Sequence, residues 1–244
     1  MDNKQNKQIV VLGMHRSGTS TVARILSEVG INMGERLLGA SSSNPMGHFE
    51  DADFFDLNNE IFSTLDADWM QPPEVREVEL LGSKFSKRIK EILENRGRVY
   101  GVKEPKLCFT ISLIQQFLDN PYYIIVHRRE AAVVNSLNVR NGTSEEDGKA
   151  LYRKYNNALE GFLTTVPENR VLSLNYEDLI ANPNEGIRLI LKFTDIGHQH
   201  DVERIAKTIY NKQEMKFQKM LYLIRAGLRA PWIIPGYLKR RFFR

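Results

Sequence analysis

The stretch QIVVLGMHRSGTSTVARILS, from Gln8 to Ser27, constrains the fold of this chain more than any other. Ile9 to Leu12 is a short run of β-branched and aliphatic residues, as a buried strand requires. Gly13 to Gly18 is a turn bounded by two glycines, and from Thr19 onward Val22, Ala23, Leu26 and Val29 fall on one helical face. The order strand, glycine loop, helix predicts an anion site. Backbone N–H groups of such a loop, and the unpaired N–H groups of the helix's first turn, converge at the positive end of the helix dipole. A phosphate or sulfate suits that point.

Gly13 and Gly18 have the spacing of a Walker A loop, G-x-x-x-x-G-K-S/T, but Thr19 stands where that loop carries Lys. The cation lies inside the loop instead, at Arg16. Arg16, Ser17, Thr19 and Ser20 bring four hydrogen-bonding side chains to one turn, which a turn of purely steric purpose would not use.

Val99 to Lys103, Tyr122 to His127 and Val171 to Leu174 read as further strands. Between them lie segments of helical period. Asp51 to Leu65 carries Phe54, Phe55, Asn58, Ile61, Phe62 and Leu65 in one stripe, and Phe85, Ile89, Ile92 and Leu93 mark another helix. A stretch reaches Leu118, Glu130 to about Arg140 is stopped by Asn141-Gly142, and a long helix is capped by Thr143 or Ser144. Pro183 to Phe193 opens on proline, and a last helical stretch runs to about Ala226. The alternation predicts an α/β fold, a P-loop NTPase-like parallel β-sheet flanked by helices on both faces. In such sheets the ligand crevice lies at the carboxyl ends of the strands, where the glycine loop, Lys103-Glu104-Pro105-Lys106 and His127-Arg128-Arg129-Glu130 fall. Asn32 to Glu50, with Gly34, Gly39, three serines and Asn44-Pro45, is long enough to predict a functional loop.

A chain of 244 residues suffices for a single domain over 1–244 with a sizeable core. No run of eighteen apolar residues and no apolar stretch after a basic N-terminus is present, so neither a cleaved signal nor a membrane span is expected. The one cysteine, Cys108, excludes an internal disulfide, reads as a small buried hydrophobe and points to a reducing, cytoplasmic compartment. The net charge of +4 hides an asymmetry: residues 201–244 hold 11 Lys and Arg against 3 Asp and Glu, a net of +8. The basic aromatic tail over residues 226–244 suits packing on its own domain, or peripheral contact with an anionic membrane or glycan. No nucleic-acid-reading motif accompanies it.

Arg16-Ser17-Gly18-Thr19-Ser20 resembles the 5'-phosphosulfate-binding loop of sulfotransferases that use 3'-phosphoadenosine 5'-phosphosulfate (PAPS), in which Lys or Arg precedes Ser-Gly-Thr and a hydroxyl residue. Arg128, at a strand end, is followed eight residues later by Ser136 and resembles that family's 3'-phosphate-binding element. Tyr176-Glu177-Asp178-Leu179, then Asn182-Pro183 and a helix ending in Lys192-Phe193, resembles the family's late segment, in which the Tyr lies against the nucleotide. The three stand in the family's order over roughly residues 8 to 194.

The resemblance implies in-line transfer of a sulfuryl group from PAPS to an acceptor hydroxyl or amine, on a carbohydrate or glycolipid, leaving adenosine 3',5'-bisphosphate, with no metal expected. It implies Arg16 as an electrostatic catalyst, Thr19 and Ser20 on the 5'-phosphate, and Lys103 or Lys106 on the sulfuryl oxygens. Cofactor contacts fall to Arg16, Ser17, Gly18, Thr19, Ser20, Arg128, Ser136 and Tyr176. Guanidinium does not release a proton near neutral pH, so the role of Arg16 is electrostatic. The resemblance to protein and glycan members of the family, which use a Glu following the first helix, implies Glu50 as the general base for the acceptor, with His48 second and Glu104 third. A P-loop kinase and a non-catalytic nucleotide-binding module are the alternatives. Against the kinase stand Thr19 and strands that end in Lys103, His127 and Asn175 rather than in Asp.

Overall fold

The structure is a computed structural model and describes residues 6–39, 47–196, 201–209 and 220. In chain order these residues form β1 (Lys7–Leu12), α1 (Thr19–Glu28), α2 (Ala52–Thr64), α3 (Val75–Glu79) and α4 (Gly82–Glu94). Then come β2 (Val99–Lys103), α5 (Leu107–Gln115), β3 (Pro121–His127), α6 (Glu130–Asn141) and α7 (Glu145–Leu163). A short 3-10 turn leads into β4 (Val171–Asn175), α8 (Tyr176–Ala181), α9 (Pro183–Thr194) and α10 (Val202–Ile209).

All pairings in the sheet are parallel, in the order β2-β1-β3-β4. Side chains alternate across a strand, so Val10 and Leu12 enter one core while Ile9 and Val11 enter the other. The first core is closed by Phe54 of α2, Phe85 of α4, Ile111 of α5, Leu137 of α6 and Tyr155 of α7. Val22 of α1, Leu179 of α8, Ile187 of α9 and Ile205 of α10 close the second. With helices on both faces, β1 is apolar at every position from Ile9 to Leu12, without polar alternation. The architecture is the α/β parallel sheet expected from the chain.

From β1 the chain crosses to β2 on one side, then returns past β1 to β3 on the other. The reversal opens a crevice beyond the carboxyl end of β1. The register sets Val11 beside Lys103, Leu12 beside Ile125 and His127 beside Asn175, so the polar strand ends gather at the carboxyl end of the sheet.

Several boundaries differ from the sequence reading. Asp51 lies outside α2 because its carboxylate accepts the Asp53 N–H at 2.8 Å and caps the helix. α5 ends at Gln115, short of Leu118. α3 and α8 are additional helices, and α8 carries Glu177 and Asp178 in its first turn, at the positive end of its dipole. The helical reading to Ala226 and the tail over 226–244 lie outside the described residues. No helix among those described is long and apolar enough to cross a membrane. Cys108 is buried and its thiol is pushed up to about 12 by burial, which leaves it inert.

Part of the long 32–50 segment is ordered by backbone pairing. Leu38 N–H donates to the Glu50 carbonyl at 2.7 Å and Ala52 N–H to that of Arg36 at 2.8 Å. The Asp51 carboxylate also meets Arg96 at 2.8 Å, with both side chains almost wholly buried. Gly34, at φ +137°, allows this approach, because a Cβ there would stand 2.2 Å from Asp51 Oδ2. These contacts fix the start of α2, and with it Glu50.

Candidate active site

The loop between β1 and α1 is held in a conformation that few residues adopt unaided. Gly18 has φ +101° and Arg16 has φ +70°, both in the left-handed region. Ser17 braces the loop from inside: its N–H and its hydroxyl both donate to the Met14 carbonyl, at 3.1 and 2.7 Å. The Ser17 hydroxyl is therefore spent on the loop rather than offered to a ligand. Thr19 is buried, its methyl beside Gly13. The amides left for an anion are those that open α1.

Arg16 joins this loop to the second motif. Its Nε donates to Ser136 Oγ at 2.8 Å across a separation of 120 residues, and Arg128 donates to the Arg16 carbonyl at 2.8 Å. The Arg128 guanidinium lies 4.9 Å from the centre of the Tyr176 ring. That ring packs so closely on Gly18 that a Cβ would stand 2.1 Å from it. Tyr152 of α7 donates to the Arg128 carbonyl at 2.9 Å, which fixes the strand end. Burial, and then the charge of Arg128, lower the pKa of Arg16, a strain that a bound anion would relieve. Arg128 Nε is buried with no hydrogen-bond partner among the described residues. Donors of this kind fit the phosphates of a nucleotide such as PAPS.

On the opposite side of the loop, Lys103 Nζ lies 2.5 Å from Glu50 Oε1 and 3.3 Å from Ser20 Oγ. Ser20 donates in turn to the His48 carbonyl at 3.3 Å, and His48 Nδ1 is 4.0 Å from Glu50 Oε1. Burial lowers the pKa of Lys103 against the opposing pull of Glu50. His48 is also lowered, first by burial. Glu104 sits in a separate network: Lys106 Nζ at 2.7 Å, Asn58 Nδ2 at 2.6 Å and its own loop amide, Lys106 N–H, at 2.9 Å. Only 1% exposed, it anchors the β2–α5 loop and presents no free edge to a substrate.

The family model described as "Sulfotransferase family" matches residues 8–200. This chain belongs to that family. No curated protein sequence matches this chain. Among solved structures it is similar to the sulfotransferase domain from the Synechococcus PCC 7002 olefin synthase, with a TM-score of 0.52 and 16% identity over 86% of this chain and 79% of that one. It is likewise similar to sulfotransferase STF9 from Mycobacterium avium, with a TM-score of 0.51 and 14% identity over 84% of this chain and 67% of that one. At such identities the likeness speaks to fold alone.

Three further residues line the sulfotransferase's site that the motifs do not include. The His15 ring lies 4.8 Å from that of Trp69, tilted by 56°, and 5.8 Å from that of Tyr155, and the Arg140 guanidinium lies 5.0 Å from the centre of the Trp69 ring. For Arg140 a signal was available, since Ser136 and Arg140 are four apart and share a face of α6. His15 adjoins Arg16 in sequence. Nothing local marks Trp69.

His15 is half-buried with its Nε2 fully buried, and burial followed by the charges of Lys106, Arg140, Lys103 and Arg16 drives its pKa well below the usual range. The folded protein thus holds His15 neutral while the unfolded chain binds a proton below about pH 6.5. Stability should fall as pH drops from about 6.5 towards the lowered folded value, by up to about 1.4 kcal/mol per pH unit from this residue. Urea denaturation at pH 7 and pH 5 checks this, with a shallower drop expected in His15→Phe. An identical drop in the variant would remove His15 as a source.

Proposed function

We propose that this sulfotransferase takes its sulfuryl group from PAPS and passes it to a hydroxyl or amine of a carbohydrate or glycolipid acceptor. The observation that carries the donor assignment is the contact of two motifs far apart in sequence: Arg16 of the glycine loop bonded to Ser136 of α6, with Arg128 and Tyr176 against the same loop. One element suits a 5'-phosphate and the other a 3'-phosphate. Their junction suits a nucleotide bearing both.

When bound, PAPS supplies a sulfuryl group on a phosphate leaving group. Arg16, Ser20 and the opening amides of α1 would hold its 5' end, while Arg128 and Ser136 hold the 3'-phosphate and Tyr176 lies beside the nucleotide. Arg16 and Lys103 bring fixed positive charge to the atoms where negative charge develops, with little reorganisation. Glu50 is the favoured general base. Lys103 engages its Oε1, while Oε2 has no hydrogen bond among the described residues and can accept the acceptor's proton. His48, neutral for the reasons above, is the second choice. Glu104 is disfavoured, because accepting a proton would break its buried bonds to Lys106 and Asn58.

Calorimetric titration with adenosine 3',5'-bisphosphate, and separately with ATP plus Mg²⁺, tests the donor. The expected result is tighter binding of the bisphosphate without metal. Preference for ATP and Mg²⁺ would return the chain to the kinase reading.

A further inference from the structure

We propose that Arg140, backed by Trp69, forms an acceptor-side subsite for an anionic group, so that the favoured acceptor is an acidic saccharide bearing a carboxylate or a phosphate. The inference rests on the donor reading above and adds the class of acceptor. α6 directs two side chains to the same cleft from successive turns: Ser136 meets Arg16, and Arg140 follows one turn later on the same face. Arg140 is held in place on two sides. Its Nε donates to Asn141 Oδ1, and its guanidinium lies on the Trp69 ring. Trp69 is itself anchored by Tyr155, whose hydroxyl donates to the Trp69 carbonyl at 3.1 Å.

Among the described residues the terminal nitrogens of Arg140 meet no carboxylate and no other acceptor. The nearby acids are already matched, Glu50 with Lys103 and Glu104 with Lys106. Arg16 is directed to Ser136 and the donor loop, so Arg140 is a cation in excess of what the donor uses. His15 Nε2, buried and without a hydrogen-bond partner among the described residues, belongs to a ring 4.8 Å from that of Trp69. A planar guanidinium whose two terminal nitrogens are both open is suited to an oxyanion rather than to a neutral hydroxyl.

Trp69 supplies the readout. The chain has two tryptophans, so Trp232→Phe in the full-length protein leaves Trp69 as the only indole. Its fluorescence would be titrated with glucuronate, glucose 6-phosphate and glucose, with adenosine 3',5'-bisphosphate present. The expected result is a saturable change with at least one of the two anionic sugars at concentrations where glucose has none. The sugar that acts identifies carboxylate or phosphate. Arg140→Ala should weaken that response about tenfold or more, and Arg140→Lys by less. Calorimetry should show bisphosphate affinity within about twofold of the parent in both variants. Equal responses to all three sugars, no response to either anion, or full retention in Arg140→Ala overturns the proposal. Failure of the bisphosphate to bind the parent protein is a different result and overturns the donor reading instead.

Discussion

Replacing Glu50 with Ala is expected to lower turnover by about a hundredfold or more and to remove about 3 kcal/mol of stability. The two losses have different origins. Lys103 is 1% exposed and Glu50 11% in the side chain, so the pair lies in a poorly solvated region. Removing the carboxylate strands an ammonium there, and breaking one side of a buried pair costs about 3 to 5 kcal/mol. The lysine can shed part of this cost by releasing its proton, which burial already favours, so the lower end of the range is expected at pH 7. The turnover loss follows from removing the base. A double variant separates the two: Glu50→Gln with Lys103→Met removes both charges and should regain most of the stability, because a neutral pair of similar volume carries little desolvation cost. It should stay as inactive as Glu50→Ala. Urea denaturation, with sulfuryl transfer measured on an acceptor found by screening, reads both quantities. A Glu50→Ala variant that keeps turnover within about threefold would move the base to His48.

Arg128→Ala is expected to reduce affinity for adenosine 3',5'-bisphosphate by about a hundredfold while reducing that for adenosine 5'-phosphate much less. Two charge-assisted bonds to a 3'-phosphate, each worth about 1.5 to 3 kcal/mol, set that scale. Arg128 also props the loop through the Arg16 carbonyl, so some weakening of the monophosphate should appear as well. The ratio of the two affinities isolates the 3'-phosphate from the loop. Arg128→Lys keeps charge but loses the fork, and should fall between parent and Ala. Calorimetry on both nucleotides decides the matter: an unchanged ratio in Arg128→Ala would mean that the 3'-phosphate lies elsewhere.

Much of this molecule could be read from the chain before folding. The unbroken apolar run at Ile9 to Leu12 implied a strand covered on both faces, and both faces are covered. The glycines at 13 and 18 marked a turn, and both take a positive φ there. The short helix opened by Tyr176 was not visible, since six residues carry too little periodicity to distinguish a helix from a capped turn. Ser17 was assigned from its motif as a ligand donor, yet its hydroxyl is committed to Met14, a choice between two nearby acceptors that composition does not reveal. Asp51 and Glu50 are adjacent acids at one helix start, and only their surroundings make the first a cap paired with Arg96 and the second a partner of Lys103.

By itself the sequence determined what is local: which segments are strands or helices, where glycine is required, and that a cation, hydroxyls and open amides meet at the end of β1. Those features depend on residues within a turn or two of one another. Tertiary structure decided which buried charge answers which. Glu50 meets Lys103 across 53 residues, Asn58 meets Glu104 across 46, and Trp69 meets both His15 and Arg140. Such pairings are set by through-space distance and by loss of water, and neither follows from spacing along the chain.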